Sequence, residues 1–490
     1  MGLEIARDHF EEGDFTQFAE RLRENLAALS ELLSKQSFGV GPRSLGAELE
    51  MSLVGENGQP RGVNQEVLAE LSDPRFTVEL NRFNLEYNSA PVPFSGRPFS
   101  ALAHELDESL RRVRRTAQGH GARVALIGIL PTLTPADLGR SAMTDLPRYR
   151  ALSARIRQLR GRPFRLCIEG ADGLDMECDD VTYEGANTSL QVHLRTNPGD
   201  FVALYNAIQL ATLPALAVSG NSPTFLGHRL WEETRIALFK KAVDDRQLSR
   251  GPLRGVPRVS YGLGWLADSA LELFRESVEL HDALLPVVAD ERALTVVREG
   301  GVPQLAELRL HNGTVWRWNR AVYDPGHGGH LRIEMRALPS GPSVVDMLAN
   351  AAFMVGVALE LATRAAPSGR LSFEAAHGSF YRAARSGLSA ELLWPSGRGL
   401  VTIGARELVL SLLPIAERGL LHNGVETSEV ARLLGVIRAR AESGQTGSTW
   451  QRNRLAKLEA TSHRRAALAR MLEEYLDHSE AGAPVHTWPS

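Results

Sequence analysis

Glu48 and Glu50 stand one residue apart in the stretch Ser44-Leu-Gly-Ala-Glu-Leu-Glu-Met-Ser-Leu-Val54. Leu45, Ala47, Leu49, Met51 and Leu53 interleave with them, and strict alternation is the period of a half-buried strand. In such a strand both carboxylates leave one face about 7 Å apart, at roughly 3.3 Å of rise per residue. That spacing suits neighbouring hard divalent cations bridged by a phosphate, because carboxylate oxygens are their preferred ligands. For this stretch alone, a solvated acidic face on an ordinary strand is the other reading.

Three later segments repeat the pattern. Residues 81–89 set Phe83, Leu85 and Tyr87 against Asn84, Glu86 and Asn88, with Glu79 seven residues before Glu86. Residues 187–195 set Leu190, Val192 and Leu194 against Ser189, Gln191, His193 and Arg195. Residues 330–337 set Leu331, Ile333, Met335 and Ala337 against His330, Arg332, Glu334 and Arg336. Four antiparallel strands sharing one core would gather Glu48, Glu50, Glu79, Glu86, His193 and Glu334 on a concave polar surface among arginines. Such a surface can hold several Mg²⁺ ions and a nucleoside triphosphate. Oxygen ligands with a single imidazole fit Mg²⁺ or Mn²⁺ better than zinc.

These residues resemble the glutamate-cysteine ligase and carboxylate-amine ligase group, which shares the glutamine synthetase fold. The resemblance runs in order through Gly46-Ala-Glu-Leu-Glu50, Leu85-Glu-Tyr-Asn-Ser-Ala-Pro91, Val192-His-Leu194 and Ser219-Gly-Asn-Ser-Pro223 with Arg235 beyond it. It continues through Trp316-Arg-Trp-Asn-Arg320, Arg332-Ile-Glu-Met-Arg336 and Ala383-Ala-Arg-Ser-Gly387. It implies one cation on Glu50, Glu79 and Glu86 and a second on Glu48, His193 and Glu334, two or three ions in all. Arg320, Arg332 and Arg336 would face phosphates, with Arg320 and Arg336 on the nucleotide, and Arg235 would grip a substrate carboxylate. An exposed helix arginine is the plain alternative for Arg235. Gly220 stands where an alanine is more usual, and Ala321 where a proline is expected. The activity implied is ATP-dependent joining of the γ-carboxylate of L-glutamate, as an acyl phosphate, to an amino-acid amine such as that of cysteine. The same chemistry with another amine, or a nucleotide-binding homologue without catalysis, are the alternatives.

Composition excludes other classes. With 490 residues, 43% of them hydrophobic, and a net charge of −3, the chain can bury a sizeable core and carries no basic footprint for nucleic acid. Lysine occurs only at 35, 240, 241 and 457, and no Gly-x-x-x-x-Gly-Lys-Ser/Thr loop is present. Cys167 and Cys178 are too few for a disulfide scaffold, and the first twenty residues lack a signal-peptide core, so a cytoplasmic location is expected. Two apolar stretches, 201–218 and 344–363, are interrupted by polar residues and read as buried helices rather than membrane spans.

The fold expected is α+β: an antiparallel sheet with a concave polar active-site face, and helices packed on the other side. Residues 1–40 form an N-terminal helix capped by Asp14, 41–388 the glutamine synthetase-like catalytic domain, 389–478 a helical C-terminal region, and 479–490 a loose tail. Pro98 opens another helix, 122–130 reads as a buried strand, and 395–399 as a turn. The acidic segment 170–185 reads as a solvated loop.

Overall fold

The computed structural model describes residues 5–246, 255–364, 370–397 and 399–489. Residues 1–4 of the expected N-terminal helix segment lie outside them. Eight strands form one curled sheet: β1 (Ser44–Val54), β2 (Phe76–Val78), β3 (Asn84–Asn88), β4 (Val92–Pro93), β5 (Arg123–Ala125), β6 (Leu190–Thr196), β7 (Asn319–Asp324) and β8 (His330–Met335). The order is β7-β8-β6-β1-β3-β2, with β4 and β5 also pairing β1, and every pairing is antiparallel.

Alternation dictates the two faces. None of the apolar residues named above on β1, β3, β6 and β8 is more than 3% exposed. Their polar neighbours therefore all leave from the opposite side, as the period of two requires.

Long helices cover the apolar side. Helix α1 (Glu12–Leu33) begins two residues before Asp14, whose carboxylate accepts the Glu11 N–H at 2.8 Å, so Asp14 lies inside the first turn and not at the cap position. Helix α2 (Pro98–Gly119) opens on its proline as expected and buries Phe99, Leu102, Leu106, Leu110 and Val113. Helices α3 (Phe201–Ser219) and α4 (Val344–Ala362) are long and apolar enough to cross a membrane, yet most of each is buried inside the fold. Tyr205 of α3 donates its hydroxyl hydrogen to the Asn319 carbonyl of β7 at 3.0 Å, joining this layer to the sheet. Of residues 122–130 only 123–125 pair as a strand; the remainder is buried without a ladder.

The C-terminal part opens on a hairpin, Glu391–Ser396 with Gly399–Gly404; of the turn expected at 395–399, residue 398 lies outside the described residues. Helices α5 (Ala405–His422), α6 (Thr427–Ser443), α7 (Gly447–Glu459) and α8 (Arg464–Ala481) follow. Residues 479–489 are not a loose tail. Val485 and Trp488 are buried, the Val485 N–H reaches Asp346 at 3.0 Å, and the Trp488 ring packs on Trp450, Tyr475 and His478. Two large apolar side chains in a short polar stretch supply enough buried surface to hold it.

The acidic segment also differs from expectation. Leu174–Cys178 pairs with Phe164–Ile168 as a hairpin, Asp175 meets Arg165, and Asp172 meets Arg229 and Arg464. A short turn, Val181–Ala186, then leads into β6.

Candidate active site

Register brings the polar residues together. Glu50 faces Glu86 across β1 and β3; Glu48 faces Asn88 on one side and Gln191 on the other. His193 faces Gly46 and Glu334, and Glu334 faces Arg320. Glu79 follows β2 directly and is fixed by its backbone: its carbonyl accepts the Thr144 hydroxyl at 2.6 Å, and the preceding carbonyl of Val78 accepts that of Tyr149 at 3.0 Å.

Glu48, His193 and Glu334 present ligand atoms all within 4.8 Å of one another. His193 Nε2 lies 3.1 Å from Glu48 Oε1 and 3.7 Å from Glu334 Oε1. It is out of line for a hydrogen bond, so this buried nitrogen has no hydrogen-bond partner. The other ring nitrogen, Nδ1, accepts from Arg332 Nε at 3.1 Å, which fixes the ring. Burial opposes ionisation of Glu48, but His193 beside it prevails and lowers the carboxyl to about 2. Burial likewise opposes ionisation of Glu334, where Arg320, Arg336 and His193 hold the carboxyl well below its usual range. Two carboxylates and an imidazole whose Nε2 has no hydrogen-bond partner converge on one point, a donor set that fits a divalent cation once the Nε2 proton is displaced.

Glu50, Glu79 and Glu86 are in the opposite state. Burial, then repulsion from Glu48 and Glu50, raises Glu86 to about 7. Burial, then Glu86, Glu50 and Glu184, raises Glu79 well above its usual value. Glu50 is raised by burial against the pull of Arg336 and Arg235. It is held in place by Ser189 N–H and Oγ–H at 2.7 and 3.0 Å and by Gln191 Nε2 at 2.7 Å. Burial and like charge together hold these three carboxyls toward the neutral form; among the described residues only Glu48, His193 and Glu334 bring ligand atoms within 4.8 Å of one another.

Two residues of this site were not singled out from sequence. Glu184, on the turn before β6, is raised to about 8 by burial and by Glu50, so its field reaches the same acidic set. Nothing in the spacing of the acidic segment distinguished it from its solvated neighbours. Gln191 links the two sets: it donates to Glu50 and accepts from Arg336, which lies 3.3 Å from Glu334. Its parity with His193 on β6 was the available signal.

The arginines divide. Arg320, Arg332 and Arg336 all lie on the polar face: Arg320 on Glu334, Arg332 between His193 and Asp324, Arg336 between Glu334 and Gln191. Arg235 is neither exposed nor open. It is 2% exposed, pairs with the fully buried Glu233 at 2.6 Å, and donates to the Ala337 carbonyl at 2.7 Å. Arg385 is half-exposed on Glu169.

The sequence profile of glutamate-cysteine ligase family 2 matches residues 44–474. The chain belongs to that family. This ligase therefore is an ATP-dependent enzyme that joins a carboxylate to an amine; ligases related to it bind ATP and amino-acid substrates and use divalent metals. Its fold is similar to that of the glutamate–cysteine ligase from Francisella tularensis in complex with AMP, at 10% identity and a TM-score of 0.57, covering 91% of this chain and 90% of that one. A bifunctional glutathione synthetase from Pasteurella multocida lies further off, at 13% identity and a TM-score of 0.49, covering 94% of this chain and 55% of that one. No curated protein matches the ligase in sequence.

Proposed function

We propose that this ligase activates the γ-carboxylate of L-glutamate as an acyl phosphate, using Mg²⁺-ATP, and joins it to the amine of a second amino acid, cysteine being the first candidate. The observation that carries the reading is the pairing, on one sheet face, of two carboxylate sets in opposite electrostatic states with three arginines between and beside them.

Glu48, His193 and Glu334 would hold one cation and Glu50, Glu79 and Glu86 another, with Mg²⁺ or Mn²⁺ fitting either set. Bound cations there would offset charge on the transferring phosphoryl group and on the carboxylate it meets. Arg320, Arg332 and Arg336 serve the same end from the protein side, because planar guanidinium forks match phosphate oxygens. Ser189 and Gln191 orient Glu50, and Arg332 orients the His193 ring, so the ligands stand ready before substrate arrives. The carboxylate oxygen attacks the γ-phosphorus and ADP leaves. The amine then attacks the acyl carbon, phosphate departs with the acyl oxygen's electron pair, and the ammonium proton is lost to a base. Arg235, spent on Glu233 and Ala337, serves better as a buried support beneath Glu50 than as a grip on substrate. A cytoplasmic location accords with the need for ATP and a reduced thiol.

The test is phosphate release from Mg²⁺-ATP at fixed L-glutamate with the amine varied, cysteine and an amine-free control included. Amine-dependent release with a γ-glutamyl product supports the reading. A preference for another amine reassigns the acceptor alone, and phosphate release independent of glutamate sinks the proposed donor.

A further inference from the structure

Beyond His193, β6 carries Arg195 on the same polar face, directly opposite Arg332 of β8. Two arginines facing each other across antiparallel strands repel, their β-carbons being only about 5 Å apart. Asp324 neutralises Arg332, binding its Nη1 at 2.6 Å. Arg195 receives no such relief: among the described residues it has neither an ion pair nor a hydrogen bond, and its Nε is buried without a partner.

Its place is nonetheless built. The loop before β1 is tied across it by the Gly41 N–H, which donates to Asn197 Oδ1 at 3.0 Å. A side-chain carbon at residue 41 would stand 2.5 Å from Arg195 Nη2, so the loop lies directly against the guanidinium, whose tip would have to move aside for any larger residue. His330 lies alongside, its pKa lowered by burial and further by Arg195. A buried donor left unmade and a like-charge cross-strand pair both cost stability, and violations of this kind persist where a ligand resolves them.

We infer that Arg195 is a phosphate-binding residue, receiving the polyphosphate tail of the nucleotide at the end of the polar face remote from Glu50. It would form the outer edge of the arginine row continued by Arg332 and Arg320. The fork geometry of guanidinium suits non-bridging phosphate oxygens, and a bound anion removes the repulsion between Arg195 and Arg332. The assignment rests on the ligase reading proposed above.

The experiment compares wild type with Arg195→Met and Arg195→Lys. Equilibrium binding of ATP, adenosine and inorganic triphosphate is measured in Mg²⁺, alongside the unfolding midpoint of ligand-free protein and KM for L-glutamate. Arg195→Met is expected to weaken ATP and triphosphate about 10-fold, close to 1.4 kcal/mol, and to leave adenosine unchanged. Lysine should recover part of the loss. The ligand-free midpoint should hold or rise, since a repulsive partner has gone. Unchanged ATP and triphosphate affinity in the methionine variant overturns the assignment while leaving the ligase intact. A rise confined to KM for glutamate overturns it in favour of a carboxylate ligand, and a fallen midpoint without any nucleotide effect overturns it in favour of a structural role. Wild-type protein that binds no Mg²⁺-ATP removes the ligase reading and this assignment together.

Discussion

Arg320 clasps Glu334 with two hydrogen bonds, Nε to Oε2 at 2.6 Å and Nη2 to Oε1 at 3.0 Å. Both oxygens of a carboxylate that also faces His193 are thus engaged by an arginine, and Arg336 adds a third donor nearby. A cation in the Glu48–His193–Glu334 set must share Glu334 with Arg320, whose Nη1 also donates to the Asn312 carbonyl at 3.2 Å.

Glu48 and Glu334 should therefore respond differently to loss of charge. Glu334→Gln leaves Arg320 and Arg336 without their buried counter-charge and should cost about 3–5 kcal/mol of stability as well as ADP formation. Glu48→Gln should cost about 1 kcal/mol but still lower ADP formation more than ~100-fold, beyond the usual effect of outer partners. Urea unfolding and coupled ADP assays measure both; full turnover by Glu48→Gln would remove the cation assignment.

Metal-free stability should fall as pH rises from about 4.5 to 8. A glutamate in the unfolded chain titrates near about 4.3, whereas Glu86 does so at about 7 and Glu184 at about 8 in the fold, with Glu50 and Glu79 also raised. The folded protein holds more protons than the unfolded chain across that window, so deprotonation favours unfolding. Glu48 and Glu334 act in the opposite sense, and only as pH falls below about 4.5. After chelation, Tm should drop between pH 5.5 and 8, and added Mg²⁺ should raise it more at pH 8. An equal rise at both values would contradict the acidic set as a cation site.

Arg235→Met should destabilise by about 3–5 kcal/mol, because it strands Glu233, whose side chain is fully buried, without its counter-charge. Arg235→Met paired with Glu233→Leu should recover much of that loss. Unfolding by guanidinium chloride measures both variants. A single variant of wild-type stability with a raised KM for glutamate would return Arg235 to the role of substrate grip.

Trp488→Ala should cost about 3–5 kcal/mol, as for a buried aromatic in a core. It opens the cluster with Trp450, Tyr475 and His478 next to Asp346, which binds both Arg440 and the Val485 N–H. Thermal unfolding reports the loss, and an unchanged Tm would restore the loose tail.

The sequence by itself determined which side chains share a face. Alternation on β1, β3, β6 and β8 is local, because successive residues on a strand must point oppositely, and that alone aligned Glu48, Glu50, Glu86, His193 and Glu334. Local chemistry also marked Pro98 as a helix start and the two apolar stretches as buried helices. Tertiary structure decided everything that depends on register and on partners distant in the chain. It set Glu334 against His193 and Arg320, brought Glu184 within the field of Glu50, and spent Arg235 on Glu233. It also left Arg195 facing Arg332 and pinned residues 485–488 beneath α8. No spacing rule reports such facts, since a charge acquires its state from whatever the fold sets beside it.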